Sequence, residues 1–172
     1  TASGYKTETG SATIEINPIG TVECSADDVS VTYDGDPHGI GVQVTTPTSG
    51  STIEYRTDPT AEWTSTNPTV TDVTDEAVTV YYRVSAPGYT AATGSADILI
   101  TPATITYTAE DFTTTYDGGF YGINVQVTAP TSGSSIQYRY DDETTWSAVN
   151  PTFTTGTHTV YWKLVGDNNH TD

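Results

Sequence analysis

The sequence has 172 residues and a formal net charge of −17, with only five lysine or arginine residues. This balance argues against a nucleic-acid-binding protein, which needs clustered basic side chains to neutralise phosphates, and against binding to anionic membranes. The single cysteine, Cys24, excludes an internal disulfide, and no apolar run is long enough to span a bilayer.

Apolar and polar residues alternate along most of the chain, and 37 residues are threonine. Threonine, valine, isoleucine and tyrosine suit a pleated, half-buried surface, and no stretch of about ten residues has helical apolar spacing. The sequence therefore predicts an all-β protein. In chain order, the predicted inward-facing rows are Val29/Val31, Ile40/Val42/Val44, Ile53/Tyr55, Val78/Val80/Tyr82/Val84, Ala96/Ile98/Ile100, Ile123/Val125/Val127, Ile136/Tyr138 and Val160/Trp162/Leu164.

The rows repeat because the sequence itself repeats. The stretch TYDGDPHGIGVQV from Thr32 returns as TYDGGFYGINVQV from Thr115. At this offset of 83, residues 33–69 and 116–152 are identical at 22 of 37 positions. A second echo pairs GYKTETGSATIEINP from Gly4 with GYTAATGSADILITP from Gly88. The sequence thus contains a duplicated unit. The phrase that closes the first copy, from Gly88, also stands before that copy, from Gly4.

A period of about 80 residues fits small domains in series better than a solenoid. We predict two tandem immunoglobulin-like β-sandwich repeats of about 83 residues, extended end to end. Residues 1–18 would be the closing strand of a preceding repeat, residues 19–102 a complete repeat, and residues 103–172 a repeat without its closing strand. An alternative phase, with units at 1–88 and 89–172, also fits the echoes. We expect the chain to be a piece of a longer array.

The predicted strand at residues 10–17 precedes the first copy and has no other strands of its own unit beside it. We expect it either to pad the start of the first repeat or to complete the second repeat of a neighbouring chain. A missing strand would leave a sheet edge exposed, which favours such pairing.

The ordered phrases of the repeat resemble a known family. Tyr-Asp-Gly, Pro-His-Gly-Ile, Pro-x-Ser-Gly, Ile-x-Tyr, Trp, Asn-Pro-Thr, Thr-Val-Tyr-Tyr and Thr-Gly-Ser-Ala follow one another in the first copy. This order resembles the MBG-type ("mostly beta glycine") repeats of large bacterial surface proteins. The second copy departs from it at residues 119–121. The resemblance implies an extracellular, cell-surface location and a role as a stalk or an adhesive module.

Two sets of residues are candidates for ligand binding. Trp63 and Trp146 lie in polar, threonine-rich loops, where exposed aromatic rings can stack on sugars or anchor a partner. Both recur beside Asn-Pro, however, which favours packing over the end of the sandwich. Asp36 and His38 form the second set, and neither is kept in the second copy.

Acidic residues recur at matching positions and could hold calcium, which prefers several converging oxygen ligands. The candidates are Asp27, Asp28, Glu110 and Asp111, although no calcium-loop signature surrounds them. No other cofactor is indicated. The three histidines do not recur, as a duplicated catalytic base would, so we expect no enzyme.

The leading hypothesis is therefore a spacer that projects other domains from a bacterial cell and has neighbouring repeats as its partners. The alternative is an adhesin that binds a glycan or host protein through its aromatic loops.

Overall fold

The computed structural model describes residue 4 and residues 9–171. Every regular element in these residues is a β-strand, which confirms the all-β prediction, so they hold no helix that could cross a membrane. The strands are β1 (Gly20–Thr21), β2 (Glu23–Ala26), β3 (Val29–Thr32), β4 (Val42–Thr46), β5 (Thr52–Arg56), β6 (Val78–Ser85), β7 (Tyr89–Thr90), β8 (Ala92–Thr101), β9 (Ala103–Thr104), β10 (Thr106–Glu110), β11 (Asn124–Ala129), β12 (Ser134–Tyr140), β13 (Val160–Gly166) and β14 (His170–Thr171).

The first copy of the repeat, residues 19–102, folds as a β-sandwich. Its larger sheet has the strand order β3-β8-β6-β5, and β2 pairs with β4 in the second sheet. The long strand β8 runs parallel to β3 and antiparallel to β6, so it lies inside the sheet. The predicted rows of β6 and β8 face inward. The core consists of Val22, Ile40, Tyr55, Val80, Tyr82, Val84, Ala96, Ile98 and Ile100.

The second copy, which the structure describes over residues 103–171, repeats most of these pairings. Strand β10 pairs with β11 as β2 does with β4, and β12 pairs with β13 as β5 does with β6. The short parallel pair β9–β14 reproduces β1–β7. Sequence periodicity did not predict these two-residue pairs, which contain too few residues to show alternation. Among the described residues, every strand ladder joins strands of the same copy.

The copies differ at the centre of the larger sheet. Within residues 103–171, no strand corresponds to β3 or β8. In the first copy β2 packs across β8, whereas every residue of its counterpart β10 is exposed. Tyr107 of β10 is 49% exposed although its ring meets Trp162 edge-on at 4.7 Å. The second copy therefore has a thinner core, with buried Ile105, Val125, Tyr138 and Leu164.

The predicted strand at residues 10–17 is not a strand in the single chain. All of these residues are exposed, and Ile14 and Ile16 expose 85% and 89% of their surface. In the single chain the segment thus pairs with no strand of the first copy. A strand needs neighbours for its backbone hydrogen bonds, and alternation alone does not supply them.

The junction between the copies is short. Strand β8 ends at Thr101 and β9 begins at Ala103, so Pro102 alone separates two hydrogen-bonded ladders. Asn169 of the second copy reaches back to the first. Its side chain accepts a hydrogen bond from the Val73 amide at 2.9 Å and donates one to Asp72 at 3.0 Å. Beside it, the rings of Tyr33 and His170 meet edge-on at 5.2 Å.

Candidate functional site

Trp63, the first candidate for ligand binding, is half-buried against two arginines. Its loop is tied to β5 by two backbone hydrogen bonds between Tyr55 and Thr64, at 2.7 and 3.0 Å. The Arg56 guanidinium lies 4.1 Å from the centre of the indole, and that of Arg83 lies at 5.2 Å. The ring therefore covers the outer surface of β5 and β6 and stabilises it through cation–π contacts.

A carboxylate on β5 holds one of these arginines in place. Glu54 accepts hydrogen bonds from Arg83 at 2.6 and 3.1 Å, so the guanidinium plane is fixed beneath the tryptophan. Two nitrogens of one guanidinium thus converge on a single carboxylate oxygen, a forked contact that favours arginine over lysine.

Trp146 has the corresponding arrangement in the second copy, but its cations lie farther from the indole than Arg56 lies from Trp63. Arg139 lies 5.3 Å and the Lys163 ammonium 4.9 Å from the indole centre. The Arg139 guanidinium also lies 4.4 Å from the ring of Tyr161. Trp146 is 37% exposed, so it is the more accessible of the two indoles.

The candidates Asp36 and His38 belong to a turn organised by Asp34. One Asp34 oxygen accepts hydrogen bonds from the Asp36 amide at 2.9 Å and from His38 Nε2 at 3.0 Å. The hydrogen bond from His38, followed by that from Asp36, holds the pKa of the Asp34 carboxyl below its usual value. Backbone hydrogen bonds between His38 and Val70, both 2.8 Å, anchor the turn to the following loop.

The second copy performs the same task with different residues. Asp117 accepts hydrogen bonds from the Tyr121 hydroxyl and from the Gly119 amide at 2.5 and 2.8 Å. Tyr121 and Phe153 then form the two backbone hydrogen bonds that His38 and Val70 form in the first copy. The change from histidine to tyrosine thus preserves the donor to the aspartate, which is what a structural turn requires.

The four candidate calcium ligands form one adjacent pair in each copy. Asp27 and Asp28 occupy the tight connection between β2 and β3, where Asp28 accepts a hydrogen bond from the Asp97 amide at 2.8 Å. Glu110 and Asp111 lie at the end of β10 in the other copy. Across residue 4 and residues 9–171, no three His, Cys, Asp or Glu side chains gather as a metal site requires.

A groove in the second copy was not among the predicted sites. It has a volume of about 390 Å³ and lies between residues 112–116 and Val160, with Tyr121, Phe153 and His158 in its wall. Its walls come from segments around Phe112, Tyr121 and Phe153 that are separate in the sequence, so no single motif indicated it. The groove occupies the position that β8 fills in the first copy.

His158, in the wall of this groove, is held in one orientation. Its Nδ1 lies 3.0 Å from the Asp141 carboxylate and its Nε2 lies 3.0 Å from the Thr155 carbonyl oxygen. The ring also stacks on Phe153 with 3.8 Å between centroids. The hydrogen bonds to Asp141 and then Thr155 raise the pKa of His158, because both acceptors favour the doubly protonated ring.

No protein-family model and no curated protein matches the chain, so the resemblance to MBG-type repeats stays a prediction. Among solved structures, the fibronectin(III)-like modules of Clostridium thermocellum CbhA align with 86% of this chain and 88% of their own, at 11% identity and a TM-score of 0.33.

Proposed function

We propose that this chain is a non-catalytic spacer of a secreted bacterial surface protein, built from two tandem immunoglobulin-like β-sandwich repeats that project other domains from the cell. The boundaries would follow the sequence repeat, with the second unit beginning after Pro102. The neighbouring repeats of the same chain would be its constant partners.

The observation that carries this proposal is the junction. A single residue, Pro102, links β8 to β9, and its ring fixes one of the two backbone torsions available to it. A connection of this length cannot act as a flexible coil. The Asn169 side chain adds two hydrogen bonds across the junction, to Asp72 and Val73. Such a joint transmits orientation from one unit to the next, as a stalk requires.

The candidate binding residues also favour a structural role. Trp63 stacks on arginines of its own unit, and the Asp34 turn keeps its hydrogen bonds in the second copy despite the change of His38 to Tyr121. A binding loop would keep the side chains that touch its ligand, whereas a structural turn needs only an equivalent donor. The acidity of the chain would keep neighbouring stalks apart.

Small-angle scattering tests the spacer directly, at concentrations where the chain is monomeric. We expect an elongated particle with a narrow range of lengths for the unmodified chain. Insertion of Gly-Gly-Ser-Gly after Pro102 should broaden that range, and Asn169→Ala should broaden it slightly, whereas the exposed neighbour Asn168→Ala should not. A chain that folds side by side, or that is already as flexible as the insertion variant, would contradict the proposal.

The adhesin alternative has a separate readout. A glycan array probed with the unmodified chain and with Trp63→Ala and Trp146→Ala should show no specific binding if the repeats serve only as spacers. Binding that disappears in either variant while the fold persists would instead support an adhesive module.

A further inference from the structure

The exposed segment before the first copy carries the sequence of that copy's central strand. Residues 10–18 read GSATIEINP, and residues 94–102 read GSADILITP. The identical positions include every apolar residue that β8 buries in the core. They pair Gly10, Ser11, Ala12, Ile14, Ile16 and Pro18 with Gly94, Ser95, Ala96, Ile98, Ile100 and Pro102.

The two segments differ completely in their surroundings. Ile98 and Ile100 are fully buried, whereas Ile14 and Ile16 expose 85% and 89% of their surface. Ala12 is also exposed, although Ala96 is 3% exposed. Exposure of these isoleucine side chains is costly in water, at about 25 cal/mol for each Å² of apolar surface.

The second copy of the repeat leaves open the position that β8 occupies in the first copy. In the first copy residues 29–32 pair with β8 in parallel. Their counterparts, residues 112–115, have no strand partner in the described part of the chain, and Phe112, Thr113 and Thr114 instead line the 390 Å³ groove. On its other side the groove reaches Val160, the counterpart of Val80, which pairs with Ala96 of β8. Phe112 is 51% exposed there.

We propose that residues 10–17 of a second copy of this chain insert into the groove as a strand, parallel to residues 112–115 and antiparallel to β13. Transfer of the β8 register sets Ile14 beside Phe112 and His158, because Ile98 pairs with Val29 and Val78. The same transfer sets Ala12 beside Val160 and Ile16 beside Thr114.

The glycine at the start of the strand supports this register. A Cβ atom on Gly94 would collide with the phenol ring of Tyr82, its partner on β6. Gly10 occupies the corresponding place in the segment, and Trp162 corresponds to Tyr82. In the single chain nothing lies within 4 Å of a Cβ built on Gly10, so a larger residue there is tolerated until the strand inserts.

The chemistry of recognition is strand addition. Main-chain hydrogen bonds to both neighbours supply affinity, and the alternating Ala12, Ile14 and Ile16 fill the apolar side of the groove. The contact joins two different surfaces of the chain, so it produces either reciprocal pairs or head-to-tail chains. Each chain carries a formal charge of −17, so two chains repel each other. Screening of that repulsion by salt should strengthen the association. This exchange does not depend on the spacer role.

Sedimentation equilibrium of the full chain tests the proposal with two charge-matched variants. The unmodified chain should associate with rising concentration and salt. Ile14→Asp combined with Ile16→Asp should weaken the association by at least about tenfold, because two carboxylates would replace the apolar side chains that the inserted strand buries. Thr13→Asp combined with Asn17→Asp adds the same charge at outward positions and should keep the association, since Asp97 occupies the place of Thr13 in β8.

A second pair of measurements locates the contact. Gly10→Val should weaken association to a similar degree without changing the stability of the first copy. Amide hydrogen exchange should show protection of residues 12–16 and 112–115 that grows with concentration. A chain that stays monomeric at high salt and at concentrations near 1 mM would overturn the proposal. So would undiminished association of the Ile14/Ile16 variant, or equal loss in both charge-matched variants.

Discussion

The side-chain amide of Asn67 donates a hydrogen bond to the backbone carbonyl of Ile40 across 2.8 Å, and Asn150 does the same to Ile123 at 2.7 Å. The contact draws the Asn-Pro loop against the strand that follows the Asp34 turn. It also explains the preceding glycine. A Cβ on Gly39 would lie 3.0 Å from the Pro68 carbonyl oxygen, so a larger residue would push the loop away.

Asn67→Ala should lower the free energy of unfolding of the first copy by about 1–3 kcal/mol, because the part-buried Ile40 carbonyl would lose its donor. Urea denaturation followed by tryptophan fluorescence measures this change. Gln43→Thr, an exposed substitution on β4, is the control and should stay within about 0.5 kcal/mol. Equal stability of the two variants would show that the loop is held by other contacts.

Ile98→Ala should cost about 2–5 kcal/mol, because the side chain is fully buried between the two sheets. Its repeat counterpart Ile14 is exposed, and Ile14→Ala should leave the monomer's thermal unfolding almost unchanged. The pair compares the same substitution in the same local sequence. Calorimetry at low concentration separates the two effects, and a large loss for Ile14→Ala would mean that the segment packs on its own chain.

Ile98 and Ile14 together show what the alternation of apolar and polar residues can predict. It identified the inward rows correctly, since Val80, Tyr82, Val84, Ile98 and Ile100 are all buried. It also predicted a strand around Ile14, where the single chain has none, because a strand depends on neighbours that are distant in sequence. The alternation of apolar residues indicates which side chains can be buried. Whether they are buried depends on whether the segment pairs with other strands.

The surroundings of the candidate site residues were harder to predict than the inward rows. The recurrence of Trp63 and Trp146 beside Asn-Pro indicated packing, but their arginine partners were invisible because they come from other strands. Recurring acidity suggested calcium at Asp27, Asp28, Glu110 and Asp111, but the sequence did not show which other oxygen ligands could converge on either pair. Distances between side chains of different strands follow from register, which sequence alone did not give.

Trp63→Ala should destabilise the first copy by about 1–2 kcal/mol through lost apolar contact and lost cation–π interaction with Arg56. Trp146→Ala should cost less, since the nearest cation there lies 4.9 Å away and the ring is more exposed. Chemical denaturation followed by circular dichroism gives both values. A larger loss at Trp146 would contradict the assignment of the two environments.

Acid should weaken the first copy through Asp34. Its pKa is lowered in the folded state by the hydrogen bonds from His38 and the Asp36 amide. A depressed carboxyl pKa stabilises the fold above the unfolded value of about 3.9, and the contribution is lost as the pH falls through the folded value. Thermal unfolding between pH 2 and pH 6 should therefore show a smaller acid-induced decline in Asp34→Asn. Asp36→Asn, which keeps the amide donor, should behave like the unmodified chain.

His158 should titrate in the opposite sense. Its hydrogen bonds to Asp141 and the Thr155 carbonyl raise its pKa above the ordinary value of about 6.5. A raised histidine pKa stabilises the fold fully below the unfolded value, and that contribution is lost as the pH rises through the folded value. The Asp141 carboxyl, whose pKa is lowered chiefly by His158, must also be ionised, so the pair should contribute most between about pH 4 and 6.5. NMR titration of the ring should show the raised value, and Asp141→Asn should bring it down toward 6.5. Asp142→Asn removes a neighbouring charge without that hydrogen bond and should change it far less. If both variants lower the pKa equally, the general acidity of the chain would be the cause, and the Asp141 hydrogen bond would have no special part in it.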